Sequence, residues 1–83
     1  MNILVVDDHP VVRQGVRYLL TSQIPHANVQ EAEGIASALS AANACPPDVA
    51  VVDLSLGRES GLDLVAKLRD VAMATKCLVL SVF

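Results

Sequence analysis

Ile3-Leu4-Val5-Val6-Asp7-Asp8-His9-Pro10 changes character twice within eight residues. Its four apolar residues read as a short strand buried on both faces, and the strand stops abruptly at two acids. Pro10 suits the first turn of a helix, where its missing N–H costs nothing. Val12, Val16, Leu19 and Leu20 then recur at helical spacing as far as about Ser22, and Ile24-Pro25 ends the helix. This stretch predicts a strand over 2–6, a helix over 10–22 and an acidic turn between them.

The same alternation continues outward. Residues 27–32 predict a second, weaker strand. Ile35, Ala38, Leu39 and Ala42 predict a helix over 34–44, broken by Cys45-Pro46-Pro47. Val49 to Val52 is apolar and ends on Asp53, giving a third strand over 48–53. Leu54 to Glu59 reads as a loop. Ser60, with Asp63 three residues on, approximates a capping box and opens a helix over 60–72. Residues 76–82 form a fourth strand. The order βαβαβαβ implies right-handed crossovers and a parallel sheet. No linker, repeat or low-complexity tract interrupts it.

Composition fits that architecture. The 83 residues allow one domain at most. Apolar residues make up 53%, yet Tyr18 and Phe83 are the only aromatics, so the core must be Val, Leu, Ile and Ala. That palette suits strands covered on both faces by helices. The net charge is −3 and the six bases are scattered, which argues against direct nucleic-acid binding by this chain. No apolar run approaches the roughly 18 residues of a membrane span. The start has neither a basic region nor a small-residue cleavage site, so the sequence reads as cytoplasmic. Cys45 and Cys77 lack metal or redox spacing and read as reduced, structural thiols. Neither G-x-G-x-x-G nor a P-loop occurs, which weakens any nucleotide-binding reading.

The polar residues gather at strand ends: Asp7 and Asp8 after the first, Asp53 at the third, Ser81 near the end of the fourth. In open α/β sheets, ligands sit beyond the carboxyl ends of the strands, where the strand order reverses. With order 2-1-3-4, the first and third strands are neighbours about 4.8 Å apart. Three carboxylates then share one small volume, which is costly without protons or a cation. Magnesium, which favours one or two carboxylates plus water and phosphate, fits such a cluster. It would offset charge during in-line phosphoryl transfer, and a carboxylate could be the nucleophile. Spacing alone leaves open which Asp attacks and what the donor is.

These residues carry a family resemblance. The stretch from Ile3 to Pro10, with Val12-Arg13 and Gly15, resembles the opening of a NarL/FixJ/LuxR-type response-regulator receiver domain of two-component systems. Pro47 to Leu56 resembles its phosphoacceptor strand, Ser60 to Asp63 the start of its third helix, and Val79 to Phe83 its fourth strand. The resemblance implies a flavodoxin-like three-layer fold, here without the last α-β-α elements. It implies that Asp53 accepts a phosphoryl group from a histidine kinase. Asp7 and Asp8 would hold Mg2+ together with Asp53 and the Ser55 backbone carbonyl, and Ser81 would contact the phosphoryl oxygens and relay the switch. It also implies a parent that regulates transcription through a separate C-terminal DNA-binding domain. On this reading the chain is a signalling module and not an enzyme with turnover.

Two departures stand out. Gly57 occupies the place of the family's usual Pro, so a more mobile Asp53 loop is expected. The family's Lys near the end of a fifth strand has no counterpart, so this chain alone is expected to be impaired or inactive. Its fourth strand would present an open apolar edge, which predicts a homodimer or exchanged-element oligomer. Two other functions compete: a small phosphohydrolase with an Asp nucleophile, and an interaction module that is never phosphorylated. The phosphohydrolase class typically has Asp-x-Asp, where this chain has Asp-Asp. His9 reads as a surface residue at a helix start rather than a ligand, since magnesium prefers oxygen. Arg13 and Arg17 read as a solvated face with a possible docking role.

Overall fold

The alternation of side chains along the first strand fixes the layers of the molecule. In the computed structural model, which describes residues 1–80, β1 (Asn2–Val6) sends Leu4 and Val6 to one face of the sheet and Ile3 and Val5 to the other. All four are buried, as a two-sided parallel strand requires. On the second face, α1 (Pro10–Gln23) lays Val16 and Leu20 against Ile3, Val5, Val29 and Val51. On the first face, α2 (Ile35–Ala44) and α3 (Gly61–Val71) cover Leu4, Val6, Ala50 and Val52. Ala38 and Ala42 are fully buried there, so their small side chains let α2 lie close to the sheet, while Leu64 and Leu68 fill the space under α3.

The sheet is parallel with order β2-β1-β3-β6, where β2 is Asn28–Ala32, β3 is Val49–Asp53 and β6 is Lys76–Leu80. The expected flavodoxin-like arrangement is therefore present. Val6 pairs with Val52, which sets Asp7 and Asp53 one step beyond the same register line. The Asp7 N–H donates to the Ala32 carbonyl at 3.0 Å, and the Leu54 N–H to that of Leu80 at 2.9 Å, so the ladders run past the formal strand ends. Element bounds differ from the sequence reading by a residue or two, the usual fraying of ends. Ser81 and Val82, assigned to the last strand from sequence, lie outside the described residues.

One segment differs in kind. Residues 54–59, read as a loop, make up most of a small antiparallel hairpin of β4 (Ser55–Leu56) and β5 (Glu59–Ser60). Its two-residue turn is Gly57-Arg58, with Gly57 at φ 64°. A positive φ at the first turn position belongs to a type II′ turn, which favours Gly there. Proline, locked near −65°, could not take that place. Gly57 thus closes a turn, where the sequence suggested a looser loop. Leu56 is buried in the core beside Leu64 and anchors the hairpin. The expected capping box at α3 is half present: the Ser60 hydroxyl accepts the Leu62 N–H at 3.2 Å, with no return bond from Asp63 among the described contacts.

Cys45 and Cys77 are free thiols, both half-buried, and burial pushes the Cys77 thiol up. β6 pairs only with β3 among the described residues, and Leu78 and Leu80 on it remain 58% and 38% exposed. No helix of the described residues is long and apolar enough to cross a membrane.

Candidate functional site

Three carboxylates meet at the carboxyl rim of β1 and β3. Ligand atoms of Asp7, Asp8, His9 and Asp53 all lie within 4.8 Å of one another. The sequence placed the three acids together, and the fold brings them together. Asp7 is buried, the one charged residue so enclosed among those described. Its Oδ1 accepts the His9 backbone N–H at 2.8 Å, a local turn that aims the carboxylate toward the helix start. Asp53 Oδ1 accepts the Ser55 N–H at 3.2 Å. Ser55 is therefore tied to the phosphoacceptor candidate through its N–H, at the base of the hairpin.

His9 belongs to this cluster more fully than the sequence suggested. It is the N-cap of α1 and exposed, as expected, but its ring lies against the three acids. Nδ1 lies 2.9 Å from Asp7 Oδ1, 3.0 Å from Asp8 Oδ1 and 3.7 Å from Asp53 Oδ2. The hydrogen bond to Asp7, then the charge of Asp8, raises the His9 pKa above its usual value. A protonated imidazole here offsets part of the carboxylate repulsion. The ring is 63% exposed, so it can leave the cluster without disturbing the core.

A small cation suits the remaining geometry. Asp8 Oδ1 is shut off from solvent and has no hydrogen-bond donor among the described residues. His9 Nδ1 lies 3.0 Å from it and, when protonated, offers it some positive charge, but that single proton is shared with Asp7 Oδ1 at 2.9 Å, so Asp8 Oδ1 is only partly met. A buried, unsatisfied carboxylate oxygen is costly unless something positive meets it. The donors offered are hard oxygens, which fit magnesium. The hairpin tip borders the same space: a Cβ on Gly57 would sit 3.2 Å from Asp8 Oδ2. A cavity of about 240 Å³ lies beside the three aspartates without including them, lined by Arg13, Glu31, Ala32, Glu33 and Ser37.

Residues 3–83 match the family model of the response regulator receiver domain. The chain belongs to that family. Receiver domains are signalling domains, and the parallel fold and acidic rim described above are those of a receiver. The nitrate/nitrite response regulator NarP of Escherichia coli is 39% identical over 80 residues, which is 96% of this chain and 37% of NarP. A solved response regulator from Burkholderia pseudomallei, which carries a phosphorylated aspartic acid, a calcium ion and citrate, superposes with a TM-score of 0.89 at 34% identity. That match covers 99% of this chain and 47% of the other. TrrA of Thermotoga maritima, solved with Mg2+ and beryllofluoride, gives a TM-score of 0.87 at 26% identity over 99% of this chain and 70% of its own. The receiver spans less than two-fifths of the curated regulators it matches.

Arg13 and Arg17 are not simply a solvated face. Arg13 Nε donates to Glu31 Oε1 at 2.9 Å and Arg17 Nη1 to Glu31 Oε2 at 2.7 Å. The two guanidiniums, Arg17 first, hold the Glu31 carboxyl below its usual pKa. A second Arg13 donor, Nη1, reaches the Asp7 carbonyl at 2.8 Å. Nothing in the sequence pattern announces that bond, because its acceptor is backbone.

Proposed function

We propose that Asp53 of this receiver accepts a phosphoryl group from the phosphohistidine of a sensor kinase in the cytoplasm. The reading is supported above all by the Asp53 carboxylate standing within 4.8 Å of those of Asp7 and Asp8. Asp53 Oδ1 accepts the Ser55 N–H, whereas Oδ2 accepts no hydrogen bond from the described residues, and Oδ2 is therefore the oxygen assigned to attack. An Oδ2–P bond forms as the N–P bond of phosphohistidine breaks, and the departing imidazole takes a proton from solvent. Asp7, Asp8, Asp53 and the Ser55 backbone carbonyl would hold Mg2+, which when bound offsets charge on the transferring oxygens. The Ser81 hydroxyl would contact the phosphoryl group. The relatives named as transcriptional regulators support a parent that acts on DNA through a separate domain.

Amide NMR tests the site directly. Adding MgCl2 and then beryllofluoride should move signals of residues 7–9 and 53–57 far more than those of α2. Unmoved Asp7, Asp8 and Asp53 amides at saturating additions would defeat the reading and favour an interaction module that is never phosphorylated.

The exposed apolar side chains on β6 support a second proposal, self-association of this 83-residue chain along that strand. Light scattering across a dilution series should show dimers or larger species. A monomer at every concentration would refute it.

A further inference from the structure

Arg13 links three elements at the edge of the acidic site. It sits one turn inside α1 and is only 18% exposed. Its Nε is spent on Glu31 of β2 and its Nη1 on the Asp7 carbonyl at the end of β1. The Asp7 N–H is already held by the Ala32 carbonyl. Both peptide groups flanking the Asp7 Cα are therefore tied, one by β2 and one by Arg13. The second of these peptides also carries the nitrogen of Asp8, so its tilt decides where the Asp8 carboxylate points.

We propose that Arg13 is a positioning residue for the cation site: it fixes the Asp7–Asp8 peptide and thereby the two carboxylates. Among the described ion pairs its charge meets Glu31 and none of the three site acids, so it braces the site without competing for it. The role needs an arginine. Two donors in a rigid fork reach acceptors on two strands, whereas a lysine offers a point charge on a flexible stem. Groups that orient metal ligands typically change affinity by about 10–100-fold when removed. This inference rests on the acidic cluster being the Mg2+ site, so its test carries one arm with metal and one without.

The comparison is Arg13→Met against Glu31→Gln, with Arg13→Lys as the conservative variant. Glu31→Gln breaks the ion pairs but leaves the bond from Nη1 to the Asp7 carbonyl. In amide NMR titrations with MgCl2, Arg13→Met should weaken binding about tenfold. Arg13→Lys should fall between it and wild type, and Glu31→Gln should lose less than about threefold, in keeping with the small worth of partly exposed pairs. Without metal, hydrogen exchange at the Asp8 and His9 amides should quicken in Arg13→Met and not in Glu31→Gln. Equal effects of the two substitutions in both arms would reduce Arg13 to an ordinary ion-pair partner and overturn the proposal. Should Arg13→Met fail to fold, Arg13→Lys with wild-type affinity and exchange would overturn it equally. Wild-type protein that binds no Mg2+ would instead sink the metal site, while the exchange arm would still judge the brace.

Discussion

Asp53→Asn should abolish phosphorylation of the chain while leaving the fold intact or firmer. The measurement is intact mass after incubation with Mg2+ and a small-molecule phosphoryl donor, beside a thermal melt. Wild type should gain the mass of one acid-stable, base-labile phosphoryl group on a detectable fraction of molecules, in keeping with the reduced activity expected of this chain, and the variant none. The loss should be on the order of 10³-fold or more in rate, the scale seen when enzymes lose their nucleophile. The amide is nearly isosteric and keeps an oxygen to accept the Ser55 N–H. It also removes one of three carboxylates crowded within 4.8 Å, so stability should hold or rise by roughly 1 kcal/mol. A site residue whose loss costs function and spares stability is there for chemistry. If the variant were phosphorylated as fast as wild type, the acceptor would have to be another residue, with Asp7 and Asp8 the first to examine.

That prediction was within reach of the sequence because the signals for it are coarse. Apolar runs that stop on acids at Val6-Asp7 and Val52-Asp53 mark buried parallel strands, and their neighbouring register then places the acids. The hairpin was not within reach. Its strands are two residues each, too short for any periodicity, and the sign for it is a turn residue, Gly57, whose φ only the structure gives. His9 was visible as a helix start, yet the direction of its ring depends on the extended N-cap backbone at φ −99° and ψ 108°. Arg13 was hidden for another reason. Charge at helical spacing looks the same whether a guanidinium faces water or reaches a strand-end carbonyl.

Gly61 shows what such a hidden constraint should cost. In the sequence it follows the capping Ser60 at the start of the third helix. In the fold it is buried, and its N–H donates to the Leu54 carbonyl at 2.9 Å. A Cβ there would collide with the Asp53 carbonyl oxygen and stand 2.9 Å from its carbon and 3.0 Å from the Leu54 Cα. Every one of those atoms is backbone, so no side chain can swing aside. Gly61→Ala must push α3 off the end of β3 or turn the Asp53 peptide. Overpacking costs about 1–3 kcal/mol, and a backbone clash belongs at the upper end. For a domain of this size about 3 kcal/mol lowers Tm by roughly 12–24 °C. Phosphoryl acceptance should fall with it in samples that remain folded, because the displaced peptide carries the nucleophile. Gly15→Ala is the control. That glycine lies inside α1 with no atom beyond its own helix backbone within 4 Å of its would-be Cβ, so alanine should stabilise by about 0.5–1 kcal/mol through helix propensity alone. The same substitution should thus carry opposite signs at two helical glycines, and Gly61→Ala melting at the wild-type temperature would show that α3 does not press on Asp53 as described.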